Sequence, residues 1–519
     1  MKENRILRGT AGEICEIPEP DFGKVAFDEA EGPGCRVMCL HEVTGDAFEG
    51  YLKDIAALGY ICRECRMLGE NPFYAFEKEN AALFLVHYPS MGHMSLVGEK
   101  DSGYFSWKDR PGTEICQSLL THIEPVDYGM SYLIRLCDGR FLVLDGGWEF
   151  EPDADALMNQ LQAQSLTEKP VIALWIFTHP HIDHYRCFLA FRDKYRDRVE
   201  IQSFFYNFPE ITEELVSRVP RLLEEEETEW LQKLDGYVKD TGVPVIRPHT
   251  GQVYAFANAR VEVLASTDDA CYGPCNVNSI SLVLRMEIDG QTLLFCADSE
   301  MDHVFLAERY GDYLKCDILQ VTHHGFNGGS LDAYKLADPA VCLVPVSEKL
   351  FYGTMGVYRE ENKALVYDLN VQEIITGSTG DHVLPLPYAP KANGRVRLLE
   401  TAERWQRNLG ACSWIFGDMT WDTCRFSVMN LTAFEALVRA DLIFEDRSNN
   451  IRAIQIKATP KIVKRVNFAD PDSIDGDALY FNPTSLAKMG IPEGKTFAVH
   501  FMADKPVVIW GEKEPVYVY

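Results

Sequence analysis

Thr178-His179-Pro180-His181-Ile182-Asp183-His184 gathers three imidazoles and a carboxylate in one short stretch. It follows the apolar run Val171 to Phe177, which reads as a buried strand. A helix holding all four side chains would spread them around its circumference. A loop at a strand's end can turn them toward one point. Imidazole and carboxylate both suit zinc, and also manganese or iron. Beyond Asp183 the spacing predicts a helix with Cys187, Phe188 and Phe191 on one side.

Upstream, Ser131 to Leu136, the turn Asp138-Gly139 and Phe141 to Leu144 predict a strand–turn–strand ending at Asp145-Gly146-Gly147. A helix over 153–164 follows. Downstream, 211–239 reads as helical, with a break near Pro220, and its acidic run Glu224 to Glu227 as a solvated face. Strands are expected at Arg260 to Leu264, Ile280 to Ile288 and Thr292 to Cys296, the last two joined by the turn Asp289-Gly290. Asp298 comes just after the third of these. Another strand, Ile318 to Val321, leads into Thr322-His323-His324-Gly325, and Val341 to Pro345, Glu373 to Thr376 and His382 to Pro387 are further strands. Adjacent residues of an extended chain point to opposite sides. One of the paired imidazoles is therefore expected to ligate, with His324 preferred, and the other to face substrate or an outer partner.

HxHxDH after a strand resembles the signature of the metallo-β-lactamase superfamily. The resemblance implies an α/β fold: a four-layer αβ/βα sandwich of metallo-β-lactamase type, here flanked by two smaller α+β modules. It implies that His179 and His181 bind a first metal and Asp183 and His184 a second. Asp298 would bridge the two, and His324 or His323 would complete the second. Asp145 would be an outer carboxylate that orients a ligand imidazole. The implied cofactor is one or two zinc ions, with manganese or iron as alternatives.

The sequence departs from the family at one place. Members supply a further His before the bridging Asp, where this chain has Asn276-Val277-Asn278-Ser279, and His249 lies too far upstream. An amide oxygen from Asn276 or Asn278 is a weaker zinc ligand than imidazole. The first metal would then be loosely held or completed by water. NVNSISLVLRMEIDGQTLLFCAD followed by VTHHG resembles a subgroup that includes the hydrolase domain of bacterial competence (ComEC-type) DNA-uptake proteins. Ile374 to Gly380 resembles its closing strand and turn. The resemblance runs from about 122 to 390 and reaches neither flank.

The chain's 519 residues exceed what one core usually serves. The expected division is 1–115, a small α+β module; 116–390, the hydrolase domain; and 391–519, a second α+β module. In the first module Phe48, Tyr51, Leu52, Ile55 and Leu58 predict a helix ended by Gly59, packed on a hairpin of Pro72 to Glu77 and Ala82 to Tyr88. In the last, a helix is expected over 432–441, strands at Thr496 to Met502 and Pro506 to Trp510, and a short helix capped at Thr484 or Ser485. The net charge of −28 disfavours long nucleic acid, which is bound by phosphate neutralisation. The 15 cysteines form no framework, Cys62 and Cys65 make a lone CxxC, and no signal-like or membrane-spanning run appears. These features predict a cytoplasmic protein with no membrane association, acting on a small or locally exposed substrate. Nucleic acid enters only by family analogy.

The function expected is a metal-dependent hydrolase that attacks with metal-activated water. Asp183, His323 and His324 are the candidate catalytic side chains. A phosphodiesterase-like activity is the first reading. Hydrolysis of carboxyl esters, lactones or amides on the same site is the second. A non-catalytic metal-binding or interaction protein, with the flanking modules as its surfaces, is the third.

Overall fold

The computed structural model describes residues 4–113, 115–124, 128–208, 225–272, 277–354, 359–377, 380–411, 413–431, 436–443, 452–458, 463–467, 493–494, 496–503, 505–511 and 516–518. Contacts divide the chain into two units: Met1–Ser347 with Asp368–Gly394, and Glu348–Tyr367 with Arg395–Tyr519. Among the described residues no helix is long and apolar enough to cross a membrane.

The first unit is built around two sheets. One has the order Val245–Ile246, Phe204–Phe205, Val171–Ile176, Phe141–Asp145, Ser131–Arg135, Leu119–His122, His382–Pro385, with Glu200–Ile201 also pairing Val171–Ile176. The other runs Val253–Phe256, Ala259–Ala265, Val283–Ile288, Gln291–Phe295, Ile318–Gln320, Val341–Val344, Glu373–Thr376. Their inner faces meet through Tyr132, Leu144 and Ile176 from the first and Val261, Leu284, Phe295 and Leu343 from the second, all buried. Burying each such side chain stabilises by about 1.5–3 kcal/mol. The outer face of the first sheet, with Trp175, Phe177 and Val143, is covered by helices Glu151–Gln164, Ile182–Tyr195 and Glu225–Thr241. The mixed α/β architecture is that of a metallo-β-lactamase fold with added modules.

The turn Asp289-Gly290 has positive φ at both residues, 49° and 80°, and closes the hairpin that pairs Ile288 with Gln291. That backbone matches strand twist, which is why Asp-Gly there marks a hairpin. Three strands then run parallel: Gln291–Phe295, Ile318–Gln320 and Val341–Val344. Phe141–Asp145 and Val171–Ile176 are parallel as well, with Leu144 opposite Ile176. Parallel strands bring their carboxyl ends to one edge, where ligands of open α/β sheets collect.

The amino-terminal segment is larger than a helix on a hairpin. Its sheet has six antiparallel strands in the order Lys24–Gly32, Cys35–His41, His93–Lys100, Ala81–Tyr88, Asn71–Lys78, Ile61–Leu68. Helix Gly45–Ala57 packs on it through Phe48, Tyr51 and Ile55, and the Thr44 hydroxyl accepts the Ala47 N–H at 3.3 Å as its cap. Cys62 and Cys65 are exposed free thiols on the strand Ile61–Leu68.

The second unit holds two four-stranded sheets, with Phe426, Val428, Val438, Leu442, Val499, Phe501 and Ile509 in its core. Strands Phe497–Ala503 and Val507–Trp510 lie where the sequence places them. The helix expected over 432–441 is corrected: Ala436–Ile443 is a strand. It pairs antiparallel with Arg452–Ala458 on one side and Phe497–Ala503 on the other, and Ala436, Val438, Ala440 and Leu442 are fully buried. Pro220, Thr484 and Ser485 lie outside the described residues.

Candidate metal centre

The histidines and carboxylates singled out in the sequence stand at four strand carboxyl ends or in the turns and the helix start just after them. Asp145 ends Phe141–Asp145, and the 179–184 loop follows Val171–Ile176. Asp298 follows Gln291–Phe295, and His323 and His324 follow Ile318–Gln320. Left-handed backbone recurs here at residues other than glycine: Asp145 at φ 55°, Ala297 at 48°, His323 at 45° and His324 at 54°. Such conformations cost free energy and persist where surrounding structure enforces them, often at functional sites.

The side chains converge on Asp298. Its Oδ2 lies 3.3 Å from His184 Nε2, 3.5 Å from His324 Nε2, 3.7 Å from His323 Nε2 and 3.8 Å from His179 Nε2. Asp183 Oδ2 lies 3.2 Å from His324 Nε2 and 3.8 Å from His184 Nε2. Ligand atoms of His179, His184 and Asp298 fall within 4.8 Å of one another, as do those of Asp183, His184 and His324. His181 belongs to neither group, but its Nδ1 is 3.0 Å from His179 Nε2.

Behind the cluster, Asp145 is fully buried. Its Oδ1 accepts the Thr178 N–H at 2.8 Å, and its Oδ2 accepts the Thr178 hydroxyl at 2.7 Å and sits 2.8 Å from His184 Nδ1. His324 Nδ1 is 3.2 Å from the Pro345 carbonyl. These contacts fix both rings with Nε2 facing inward. His184 Nε2, His324 Nε2, Asp298 Oδ1 and Asn278 Oδ1 are buried with no hydrogen-bond partner. Orphaned buried polar atoms are costly. Here they are imidazole nitrogens that both face Asp298 Oδ2, a carboxylate oxygen and an amide oxygen, a donor set that fits zinc, manganese or iron.

Burial alone would strip charge from every one of these groups. Against it, His184, His324 and His323 hold the Asp298 carboxyl well below the usual range. Asp183 is lowered too: burial opposes, and His184 and His324 prevail. In return, and against their own burial, His184 is raised well above an ordinary imidazole by Asp298, Asp183 and Asp145, and His324 is raised to about 9, chiefly by Asp298 and Asp183. His179 moves the other way, lowered by burial and by His184, and burial takes His181 down to about 4. The two carboxylates thus draw positive charge to one point. Protons on His184 and His324 supply it, and a metal cation would compete for the same place.

The sequence model of the metallo-beta-lactamase superfamily matches residues 125–343. This stretch is a metallo-beta-lactamase superfamily domain. A search of curated proteins finds no match to the chain. Among solved structures, the metallo-beta-lactamase fold protein YhfI from Bacillus subtilis is 13% identical, covering 51% of this chain and 98% of its own, with a TM-score of 0.31. Zn(2+)-bound PqqB from Methylobacterium extorquens is 12% identical, covering 50% and 87%, with a TM-score of 0.32. The flavodiiron protein from Giardia intestinalis is 10% identical, covering 59% and 61%, with a TM-score of 0.24. Likenesses this distant assign no residue a role.

In the superfamily domain, the extended-chain reading of the paired histidines is corrected. The turn Thr322–Gly325 carries consecutive left-handed residues, so both rings turn toward Asp298. His324 is the deeper, with its side chain 1% exposed against 17% for His323. Asn278 comes to the cluster: its Nδ2 is 3.5 Å from His323 Nδ1. Asn276 lies outside the described residues. Sequence reasoning missed Thr178, whose hydroxyl also lies 3.2 Å from His179 Nδ1. It missed as well the aromatic wall of Tyr128, Trp148 and Phe326, with Tyr128 edge-on to His324 at 5.8 Å between centroids. Position after Asp-Gly-Gly was a signal for Trp148. Nothing local marks Tyr128.

Proposed function

We propose that the cluster around Asp298 is a metal centre and that the domain is a metal-dependent hydrolase with phosphodiesterase-like activity on a small substrate. The observation that carries this is the convergence of the Nε2 atoms of His179, His184, His323 and His324 on Asp298 Oδ2, with those of His184 and His324 buried and without a hydrogen bond. Members of the superfamily are generally hydrolases, which supports the coarse reaction class. The phosphodiester preference rests on the competence-type resemblance of the 276–298 and 321–325 segments.

His179 and Asp298 would hold a cation on one side, Asp183 and His324 on the other, with His184 between. His181 and the free Oδ1 of Asn278 would complete the first side. Zinc suits the set best. The chemistry such an ion supplies is acidification of water toward a pKa of about 7 and stabilisation of charge on the attacked oxygen. Asp145 and Thr178 hold the His184 ring so that Nε2 points inward. The Pro345 carbonyl does the same for His324. His323, at the open edge, would contact substrate or the departing oxygen. Tyr128, Trp148 and Phe326 would offer a flat apolar wall to a planar leaving group. The net charge of −28 favours short or locally exposed substrates over long polyanions.

The test is a panel of aryl phosphodiesters, phosphomonoesters, carboxyl esters and lactams with added zinc or manganese. Turnover of phosphodiesters, abolished in Asp298→Ala and His184→Ala, supports the reading. Turnover of carboxyl esters alone rejects the phosphodiesterase part and leaves a hydrolase acting at carbon.

A further inference from the structure

A second cluster of buried charge joins the amino-terminal sheet to the site. Asp268, on the 3-10 turn Thr267–Tyr272, is fully buried. Its Oδ1 is 3.0 Å from His249 Nδ1, and its Oδ2 accepts the Thr250 N–H at 3.0 Å and the Ser266 hydroxyl at 2.8 Å. On its far side His249 Nε2 lies 3.6 Å from Oε1 of Glu99, on the strand His93–Lys100. Next along the turn, Asp269 pairs with buried Arg309 and accepts the Thr250 hydroxyl at 2.5 Å. Arg309 lies over the Tyr88 ring at 4.5 Å, and its carbonyl accepts from Asn71 Nδ2 at 2.6 Å. The strand Lys24–Gly32 packs directly on the same turn.

What that turn supports is the metal-centre side of the domain. Thr267–Tyr272 packs against the 3-10 turn Val277–Ile280, which presents Asn278 to His323 and Ser279 to Glu300, the latter at 2.8 Å. The chain then rejoins the metal loop through Leu282 N–H, donating to the Thr178 carbonyl at 3.0 Å. Glu99 is half-buried, and from His249 to Asn278 each link is a buried polar contact or a packed turn.

We infer that the amino-terminal sheet is a positioning device for this edge of the centre: Glu99 and Asp268, acting through His249, set the 277–280 turn against the metal loops. This rests on the metal-centre reading above. It assigns to Asp268 and Glu99 the role of positioning residues, remote from the reacting atoms. Buried ion pairs are weak sources of net stability but hold groups in register, because an unpaired member is costly. A turn that carries a neutral, weak ligand in place of an imidazole has little metal affinity of its own to hold it in place. The sheet supplies that constraint.

The experiment uses the full chain with zinc as probe. Zinc affinity by chelator competition and amide hydrogen exchange of residues 277–282 would be measured in wild type, Asp268→Asn, Glu99→Gln and Asp109→Asn. The last breaks the Arg140–Asp109 pair at 2.7 Å, away from the turn, and controls for stability loss alone. The inference expects zinc affinity to fall about tenfold in Asp268→Asn, the lower end for loss of an outer partner. Faster exchange at 277–282 should accompany it, with a smaller change in Glu99→Gln and none in Asp109→Asn. If Asp268→Asn fails to fold, Glu99→Gln carries the test on the same readouts. Affinity within twofold of wild type with unchanged exchange overturns the inference. An equal loss in Asp109→Asn overturns it too, by showing a general stability effect. Failure of wild type itself to bind zinc instead defeats the metal-centre reading.

Discussion

The cluster around Asp298 and the cluster around Asp268 are made of the same side chains, at the same depth. Each sets fully buried histidine against fully buried carboxylate. Around Asp268 the protein supplies most of the partners: Oδ2 receives a backbone N–H and a hydroxyl, Oδ1 faces His249 Nδ1, and Arg309 neutralises the neighbouring Asp269, although His249 Nε2 is buried without a hydrogen bond. Around Asp298, His184 Nε2, His324 Nε2 and Asp298 Oδ1 are left without hydrogen bonds, and the ends of three strands deliver these residues. Burial and perturbed ionisation are common to both, so neither marks a metal centre. What sets the Asp298 cluster apart, among the described residues, is that two sets of three ligand atoms there each lie within 4.8 Å of one another.

Four results would break or sharpen this contrast. Asp298→Ala is expected to have the largest effect, lowering bound metal and turnover by about a hundredfold or more, beyond what loss of an outer partner usually costs. Metal content by mass spectrometry and a turnover assay check it, and an unfolding curve close to wild type would separate site from scaffold. Arg309→Met should do the reverse, leaving Asp269 buried and unpaired at a cost of about 3–5 kcal/mol in denaturant unfolding. A cost near zero would mean the second cluster is not the structural one.

Asp145→Asn comes third. It keeps the shape but weakens the hold on His184 Nδ1, and zinc affinity should fall about 10- to 100-fold with only a small change in melting temperature. The smallest effect concerns pH. His249 is pushed up to about 10, burial being outweighed by Asp268 and Glu99. The unfolded reference is about 6.5. Its folded value is therefore raised, and the stability it contributes is complete below about pH 6.5 and is lost as pH rises through about 10. Unfolding free energies between pH 7 and 10 should decline in wild type and decline less in His249→Gln. Equal slopes would contradict that assignment.

Much of the metal side was legible because it is local. His179 to His184 lie on one short stretch, running from the loop after a strand into the first turn of helix Ile182–Tyr195, and Asp298 and His324 each follow a recognisable strand. The hairpin at Asp289-Gly290 was legible from turn chemistry. What was not legible is long-range or backbone-borne. Glu99 meets His249 only because a separate six-stranded sheet docks beside the second central sheet. The left-handed turn at His323 and His324 follows from the surrounding packing, and nothing in VTHHG announces it. Ala436–Ile443 misled because its small and branched apolar residues fit either period, and pairing with strands distant in sequence on both sides decides it.

The most direct measurement is titration of the metal-free chain with cobalt(II), followed by its visible absorption and the protons released. A centre made by His184, His324, Asp183 and Asp298 predicts at least one tight equivalent. It also predicts ligand-field bands of an imidazole and carboxylate environment, and proton release at neutral pH as His184 and His324 give up their inward protons. Absence of saturable bands, or the same bands undiminished in Asp298→Ala, would contradict the account.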